Sequence, residues 1–270
     1  KEILPQLEFL VVQDMYRTTE TVAHADLVLP AAGWGEKEGT FINSERRIGV
    51  VRKVARAPGQ ALADLKIFQL IAEAWGCGDM FAKWQTAEDV FHSMREISRG
   101  KPFEFSGISG YAELEARGGI QWPHPEGSGE PAQQRRLFED GRFYHADGRA
   151  RLISDPPEGM PEPPDAEYPL LLLTGRGSVA QWHTQTRTRQ SAVLRKLHPA
   201  GAYLEIHPDD ARRFRIVAGG PVRVESRRGG LKLTALITPG VRDRQVFLPM
   251  HDHRINRLTL PHFDPYSRQP

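Results

Sequence analysis

Leu170-Leu171-Leu172-Leu173-Thr174-Gly175-Arg176-Gly177-Ser178-Val179-Ala180-Gln181-Trp182-His183-Thr184 joins an apolar run, a glycine-opened turn and a set of hydrogen-bond donors. The leucines behind Pro169 predict a short buried strand. Gly175 and Gly177 then allow the backbone to turn and to approach a ligand closely. From Tyr168 through Leu204 there is no Asp or Glu, whereas Arg176, Arg187, Arg189, Arg195 and Lys196 supply five cations, with His183 and His198 nearby. Such an excess suits phosphate or a comparable anion, although a solvated basic face has the same composition. Gly175-Arg176-Gly177 lacks the third glycine of G-x-G-x-x-G and no apolar helix follows it, which argues against a Rossmann phosphate loop.

Strand patterns dominate the rest of this half: Ala202–Ile206, Pro221–Glu225, Leu231–Ile237 and Gln245–Leu248, interrupted by one helix over His207–Phe214. Short strands linked by glycine turns predict a closed or nearly closed small β-barrel. Upstream, Asp155 to Pro169 holds six prolines in fifteen residues and reads as an interdomain linker. Before it, Asp140-Gly141 and Asp147-Gly148 predict hairpin turns among short meander strands over Arg136–Tyr144 and Ala150–Ile153. Glu88–Ile97 and Tyr111–Ala116 are weaker helices, and Asp64 to Trp75 carries the apolar spacing of an amphipathic helix. Asn43-Ser44 turns a hairpin between Thr40–Ile42 and Ile48–Val51. Leu7–Val12, a capped helix over Arg17–His24 and Asp26–Pro30 form a β-α-β pattern. Gln13-Asp14 then sits at a strand's carboxyl end, where ligands bind in open α/β sheets, although Asp14 also suits a helix cap and Asp64 a helix dipole.

At 270 residues the chain suits about two domains, and a formal net charge of +2 implies neither nucleic-acid nor membrane binding. Cys77 is the only cysteine, which excludes an internal disulfide and any cysteine-ligated cluster or zinc site within these residues. Its setting, Ala74-Trp75-Gly76-Cys77-Gly78, suits a small packed side chain. No apolar run approaches a membrane span and no signal-peptide pattern opens the chain. The missing initiator Met leads us to expect a piece of something longer, which leaves compartment open.

Four blocks in sequence order resemble the molybdopterin oxidoreductases of the dimethyl sulfoxide reductase superfamily, most closely its nitrate reductases. They are Ala25-Asp26-Leu27-Val28-Leu29-Pro30-Ala31-Ala32; Glu36-Lys37-Glu38-Gly39-Thr40 with Asn43 and Glu45-Arg46-Arg47; Thr174-Gly175-Arg176 with Gln181-Trp182-His183-Thr184; and Asn256-Arg257-Leu258-Thr259 with Asp264-Pro265-Tyr266-Ser267-Arg268-Gln269-Pro270. The resemblance implies an α/β plus β architecture. Residues 1–78 would be the tail of a Rossmann-like α/β cofactor domain, 79–164 a variable connection with the linker, and 165–270 a double-psi β-barrel that binds the molybdopterin dinucleotide. The implied cofactor is bis(molybdopterin guanine dinucleotide) with molybdenum.

Carried over by position, the resemblance places Gln13, Asp14, Lys37 and Asp64 at the dinucleotide of the first domain. A carboxylate there accepts paired donors from a guanine edge, and Lys37 suits a pyrophosphate. Thr174, Gly175, Arg176, Gln181, Trp182, His183 and Thr184 would cradle the other half of the cofactor, and Asn256 would bond the pterin. Met250 aligns loosely with a substrate-channel position. His251, His253 and His262 lack the companions of a metal site and suit supporting or surface roles.

The family's [4Fe-4S] cysteines and its molybdenum ligand belong to N-terminal regions outside these residues, so no catalytic residue is expected here. The family's terminal motif runs on past Pro270 to a cofactor-contacting lysine. The implied reaction is assimilatory reduction of nitrate to nitrite in the cytoplasm, a periplasmic location staying open. Electrons would come from ferredoxin, flavodoxin or an NAD(P)H-linked reductase subunit. The alternatives are a formate dehydrogenase of the same superfamily and a non-catalytic binding module with a cation-rich face.

Overall fold

In the computed structural model, which describes residues 3–131, 136–154, 156, 159–178, 181–197 and 201–263, β1 (Val11–Asp14) and β2 (Leu27–Pro30) pair in parallel from Val11↔Leu27 to Asp14↔Pro30. The helix expected between them is reduced to one 3-10 turn, Val22–His24. Thr18, Thr19 and Thr21 are weak helix formers, and the Asp14 carboxylate offers the backbone an alternative. It accepts the Tyr16 amide at 3.0 Å and the Thr19 hydroxyl at 3.5 Å. Beyond β2, the Leu62 amide donates to Pro30 C=O at 3.1 Å and the Ala32 amide to Leu62 C=O at 2.8 Å. These bonds bring the start of helix α1 (Asp64–Ala74) beside the carboxyl end of β2.

The expected hairpin forms as β3 (Gly39–Ile42) and β4 (Arg47–Val51), and Asn43 Oδ1 closes its turn on the amides of Glu45 and Arg47 at 3.1 and 3.0 Å. Helices α2 (Ala87–Ile97) and α3 (Tyr111–Ala116) follow as the apolar spacing indicates. A strand of two residues, β5 (Ile120–Gln121), then adds to β4 and was not foreseen, being too short to carry a pattern. Ile48, Phe91, Phe105, Ile108, Tyr111, Leu114 and Ile120 form the core between these elements. The meander strands expected over residues 136–153 are absent among the described residues. Their polar groups close local turns instead, such as Gly141 N–H to Phe138 C=O at 3.0 Å and Phe143 N–H to Gly148 C=O at 2.9 Å. Leu152 and Ile153 stay 95% and 80% exposed, since no sheet face offers to bury them.

The chain divides into two compact units, Lys1–Ile153 and Ser154–Pro270. In the second, β6 (Leu171–Gly175), β7 (Tyr203–Ile206), helix α4 (Pro208–Arg213), β8 (Pro221–Ser226), β9 (Gly229–Ile237) and β10 (Gln245–Pro249) occupy the expected segments. The sheet order is β6-β10-β7-β9-β8, with β6/β10 and β7/β9 parallel and β10/β7 and β8/β9 antiparallel. Period-two alternation buries Leu231, Leu233 and Ala235 of β9, the two leucines packing with Leu204, Ile206, Val246 and Leu248. Among the described residues β6 and β8 end the sheet and do not pair with each other, so the sheet is a mixed half-barrel. The Pro-rich segment is tied to the β8–β9 turn: Glu162 accepts from Arg228 at 2.5 Å, Asp165 pairs with Arg227, and Arg227 lies over the Tyr168 ring at 4.6 Å. Next to it lies a cavity of about 1100 Å³ whose walls include Leu170, Leu172, Val222, Val224 and Leu258.

The buried face of β10 sets a stability test. Leu248 is 0% exposed, and Leu248→Ala should destabilise the second unit by roughly 2–5 kcal/mol, because a packed core only partly refills the cavity. Leu152→Ala should change stability by less than about 0.5 kcal/mol, as an exposed substitution does. Urea denaturation of both variants checks the contrast.

Candidate functional site

The loop between β6 and β7 is built on the parallel pairing of β6 with β10. Gly175 opposes Pro249, and the Met250 amide extends the ladder to Gly175 C=O at 2.7 Å. Both strands therefore deliver their carboxyl ends to one edge. The protein's own packing requires a glycine at 177 and crowds position 175. A Cβ on Gly175 would lie 3.2 Å from the Phe247 ring, and one on Gly177 2.8 Å from the Pro249 ring and 2.9 Å from the Tyr203 hydroxyl. Neither glycine needs a left-handed backbone; they are small because β10 and β7 press on the turn.

Beyond the turn the loop folds on itself. Gln181 is buried: its side-chain amide donates to Leu194 C=O at 3.2 Å and its Oε1 accepts the Thr188 hydroxyl at 2.7 Å. Gln181 thus braces the loop rather than pointing outward. Arg176 donates to Gln181 C=O at 3.4 Å and stands 5.9 Å over the Trp182 ring, which is half-exposed. His183 meets Trp182 edge to face with ring centroids 4.7 Å apart. His183 and Gln185 both have left-handed backbones, φ 35° and 65°. Thr174, Arg176, Trp182, His183 and Thr184 present exposed surface, so the loop displays a guanidinium, an indole and an imidazole together.

His251, for which the sequence offered a supporting or a surface role, holds this arrangement from below. It is 2% exposed. Its Nδ1 lies 2.7 Å from His183 C=O, and its Nε2 receives the Gly177 amide at 3.3 Å. Nothing local marks the contact, because His183 and Gly177 stand 68 and 74 residues away. Met250 is half-buried beside it and enters the site chiefly through its amide. Asn256 lies on a 3-10 turn, His253–Arg257, with its side chain exposed and its carbonyl accepting the Thr259 hydroxyl at 3.3 Å. The motif residues Asp264–Pro270 and Val179-Ala180 lie outside the described residues.

In the first unit three of the four candidates converge. Gln13, at the end of β1, donates from Nε2 to Asp64 Oδ1 at 2.6 Å, and the Lys37 ammonium pairs with Asp64 Oδ2. Burial pushes the Asp64 carboxyl up, but the Lys37 hydrogen bond and charge, with help from Gln13, outweigh it and hold the group below its ordinary value. Asp14 stands next door, engaged with Tyr16 and Thr19. The cluster lies at the carboxyl ends of two parallel strands and the first turn of α1, the corner of an α/β unit where ligands are met. No helix among the described residues is long and apolar enough to cross a membrane.

A carboxylate held below its unfolded-state value contributes stability that is present above that value and lost as pH falls through the folded one. Lys37→Met should therefore raise the Asp64 titration and destabilise the first unit at pH 7, the wild-type advantage declining as the pH falls below about 4. Urea denaturation of both proteins across pH 3–7 measures this. An unchanged pH dependence would remove Lys37 as the cause.

Residues 1–74 match the family model Molybdopterin oxidoreductase, and residues 170–270 match Molydopterin dinucleotide binding domain. The chain is 37% identical over 275 residues to the assimilatory nitrate reductase catalytic subunit of Bacillus subtilis, covering 100% of this chain and 38% of that protein. It is equally 37% identical over 252 residues to the F420-dependent formate dehydrogenase subunit alpha of Methanocaldococcus jannaschii, covering 93% of this chain and 35% of that one. Acetylene hydratase from Pelobacter acetylenicus shares the fold at a TM-score of 0.63 and 19% identity, over 91% of this chain and 33% of its own. The chain spans little more than a third of the length of these relatives. With both family domains in order, one on each structural unit, the chain belongs to the molybdopterin oxidoreductases.

Proposed function

We propose that this chain is the cofactor-binding part of a bis(molybdopterin guanine dinucleotide) enzyme that reduces nitrate to nitrite. The observation that carries the reading is the pair of polar sites, one in each unit. One centres on an ionised carboxylate held by exchangeable side chains, and the other is a cation-rich loop without a carboxylate. These donor sets fit the group. Asp64 can accept paired N–H donors from a guanine edge, and Lys37 can move from Asp64 to a pyrophosphate. In the second unit Arg176 and the loop amides suit the other pyrophosphate, with the Trp182 indole and His183 imidazole as further donors and Asn256 toward the pterin.

When bound, the molybdenum centre supplies the oxygen-atom and electron chemistry. The residues here bind the cofactor, orient it and offset its negative charge. Nitrate is favoured by Gln181-Trp182-His183-Thr184, and nitrate reductase relatives align over the whole chain. The second reading, formate oxidation, rests on formate dehydrogenase relatives of the same identity.

Protein from molybdenum-replete cells should contain molybdenum and release guanine nucleotide on denaturation, and should oxidise reduced viologen with nitrate faster than it reduces viologen with formate. Asp64→Ala and Arg176→Ala should each lower molybdenum content at least severalfold while the protein stays folded, since each removes a charged hydrogen bond worth about 1.5–3 kcal/mol. Wild-type protein with neither metal nor nucleotide would end the pterin reading. Formate turnover without nitrate turnover would select the second one.

A further inference from the structure

His251 is placed to do more than fill space. It lies two residues past β10, is almost wholly buried, and has both ring nitrogens engaged by the same loop, one at Gly177 and one at His183. Nε2 receives the Gly177 amide and so must carry a lone pair; Nδ1 faces the His183 carbonyl and so must carry the proton. The ring therefore sits in one tautomer, accepting at the start of the loop and donating near its exposed residues.

The carbonyl it grips belongs to a strained residue. His183 has φ 35°, and Gln185 is left-handed as well, at φ 65°. For residues other than glycine such conformations cost free energy and persist only where surrounding contacts over-determine them. Gln181, braced by Leu194 and Thr188, fixes one side of the turn, and the bond to His251 fixes the His183 carbonyl itself. That bond decides which way the 183–184 peptide faces. It thereby sets the placement of the neighbouring Trp182 and His183 side chains, the exposed donors of the loop.

We propose that His251 is a positioning residue for the cofactor loop. As the Nδ1–H tautomer it joins Gly177 to His183, so that the Arg176, Trp182 and His183 groups are arranged before the pterin dinucleotide binds. This rests on the reading that the loop holds that cofactor. Preorganisation of this kind lowers the cost of ordering the loop at the moment of binding. His251→Leu fills the space without either hydrogen bond. His251→Asn keeps a donor near the Nδ1 position and loses the acceptor.

The test uses protein isolated from molybdenum-replete cells in three forms: wild type, His251→Leu and His251→Asn. It reads amide deuterium exchange together with molybdenum and releasable guanine nucleotide per chain. For His251→Leu, exchange across residues 175–186 should rise about tenfold, the loss expected for two hydrogen bonds, while β7 and β9 exchange as in wild type and cofactor occupancy falls severalfold. His251→Asn should free the Gly177 amide but keep residues 183–186 near wild type, a separation that a packing role does not produce. Wild-type exchange or full occupancy in His251→Leu would overturn the proposal, as would an Asn variant in which both ends of the loop open together. If His251→Leu does not fold, the end-specific pattern in His251→Asn decides alone. Wild-type protein lacking metal and nucleotide would instead mark failure of the pterin reading, and the exchange data would then decide whether His251 sets the loop.

Discussion

The parallel pairing of β6 with β10 is the constraint on which the second unit's candidate site depends. Parallel neighbours end at the same edge of a sheet, so the chain leaving β6 must cross the end of β10 instead of returning in a hairpin. The pairing runs to Gly175 and Pro249, and the Met250 amide adds one more bond. This puts the turn against Pro249 and the Tyr203 hydroxyl, where only glycine fits at position 177. It also brings His251, two residues past Pro249, under the same turn. A slip of one residue in the β6–β10 register would direct Gly175 and Pro249 away from each other and turn the inward-facing Val246 and Leu248 outward.

Local charge, rather than the net charge of +2, distinguishes the loop from the other basic segments. Arg227 and Arg228 in the β8–β9 turn are answered by Glu162, Asp165 and Glu167. Arg52 and Arg99 in the first unit are likewise matched by Glu115 and by Glu96 with Glu126. Exposed pairs of this sort contribute little to stability, yet they do cancel field. Between Tyr168 and Leu204 the sequence supplies no carboxylate to offset the cations, an excess that suits an anion where the loop displays its donors. The same amino-acid type thus fastens the Pro-rich segment in one place and favours an anion in the other.

How much of this was legible in the sequence follows from the range of the forces involved. Strands β6 to β10 and helices α1 to α4 could be read because apolar periodicity is local, as in Leu231-Lys232-Leu233-Thr234-Ala235. The helix expected over Arg17–His24 failed because Asp14 captures the Tyr16 amide and Thr19 hydroxyl, a competition that propensity does not contain. The strands expected over residues 136–153 had the turn residues of a meander but no apolar surface to receive Leu152 and Ile153. Motif resemblance brought Gln13, Lys37 and Asp64 forward, and the fold places them in contact across separations of 51 and 27 residues. No short-range signal marks His251, whose partners lie 68 and 74 residues upstream.

The two carboxylates of the first unit are not equivalent, and their partners show why. Asp14 bonds a backbone amide two residues on, which the chain cannot withdraw without undoing the turn after β1. Asp64 is held by the ends of two flexible side chains, Gln13 and Lys37, which can swing to other partners without moving the backbone. An incoming pair of N–H donors can thus replace the Gln13 amide on Asp64, while the displaced Lys37 ammonium follows an anionic group of the same ligand. Lys37 meanwhile offsets the burial of the Asp64 carboxylate before the ligand arrives. On the proposed reading Asp64 therefore recognises the ligand, Lys37 readies the carboxylate, and Asp14 shapes the strand end on which both depend.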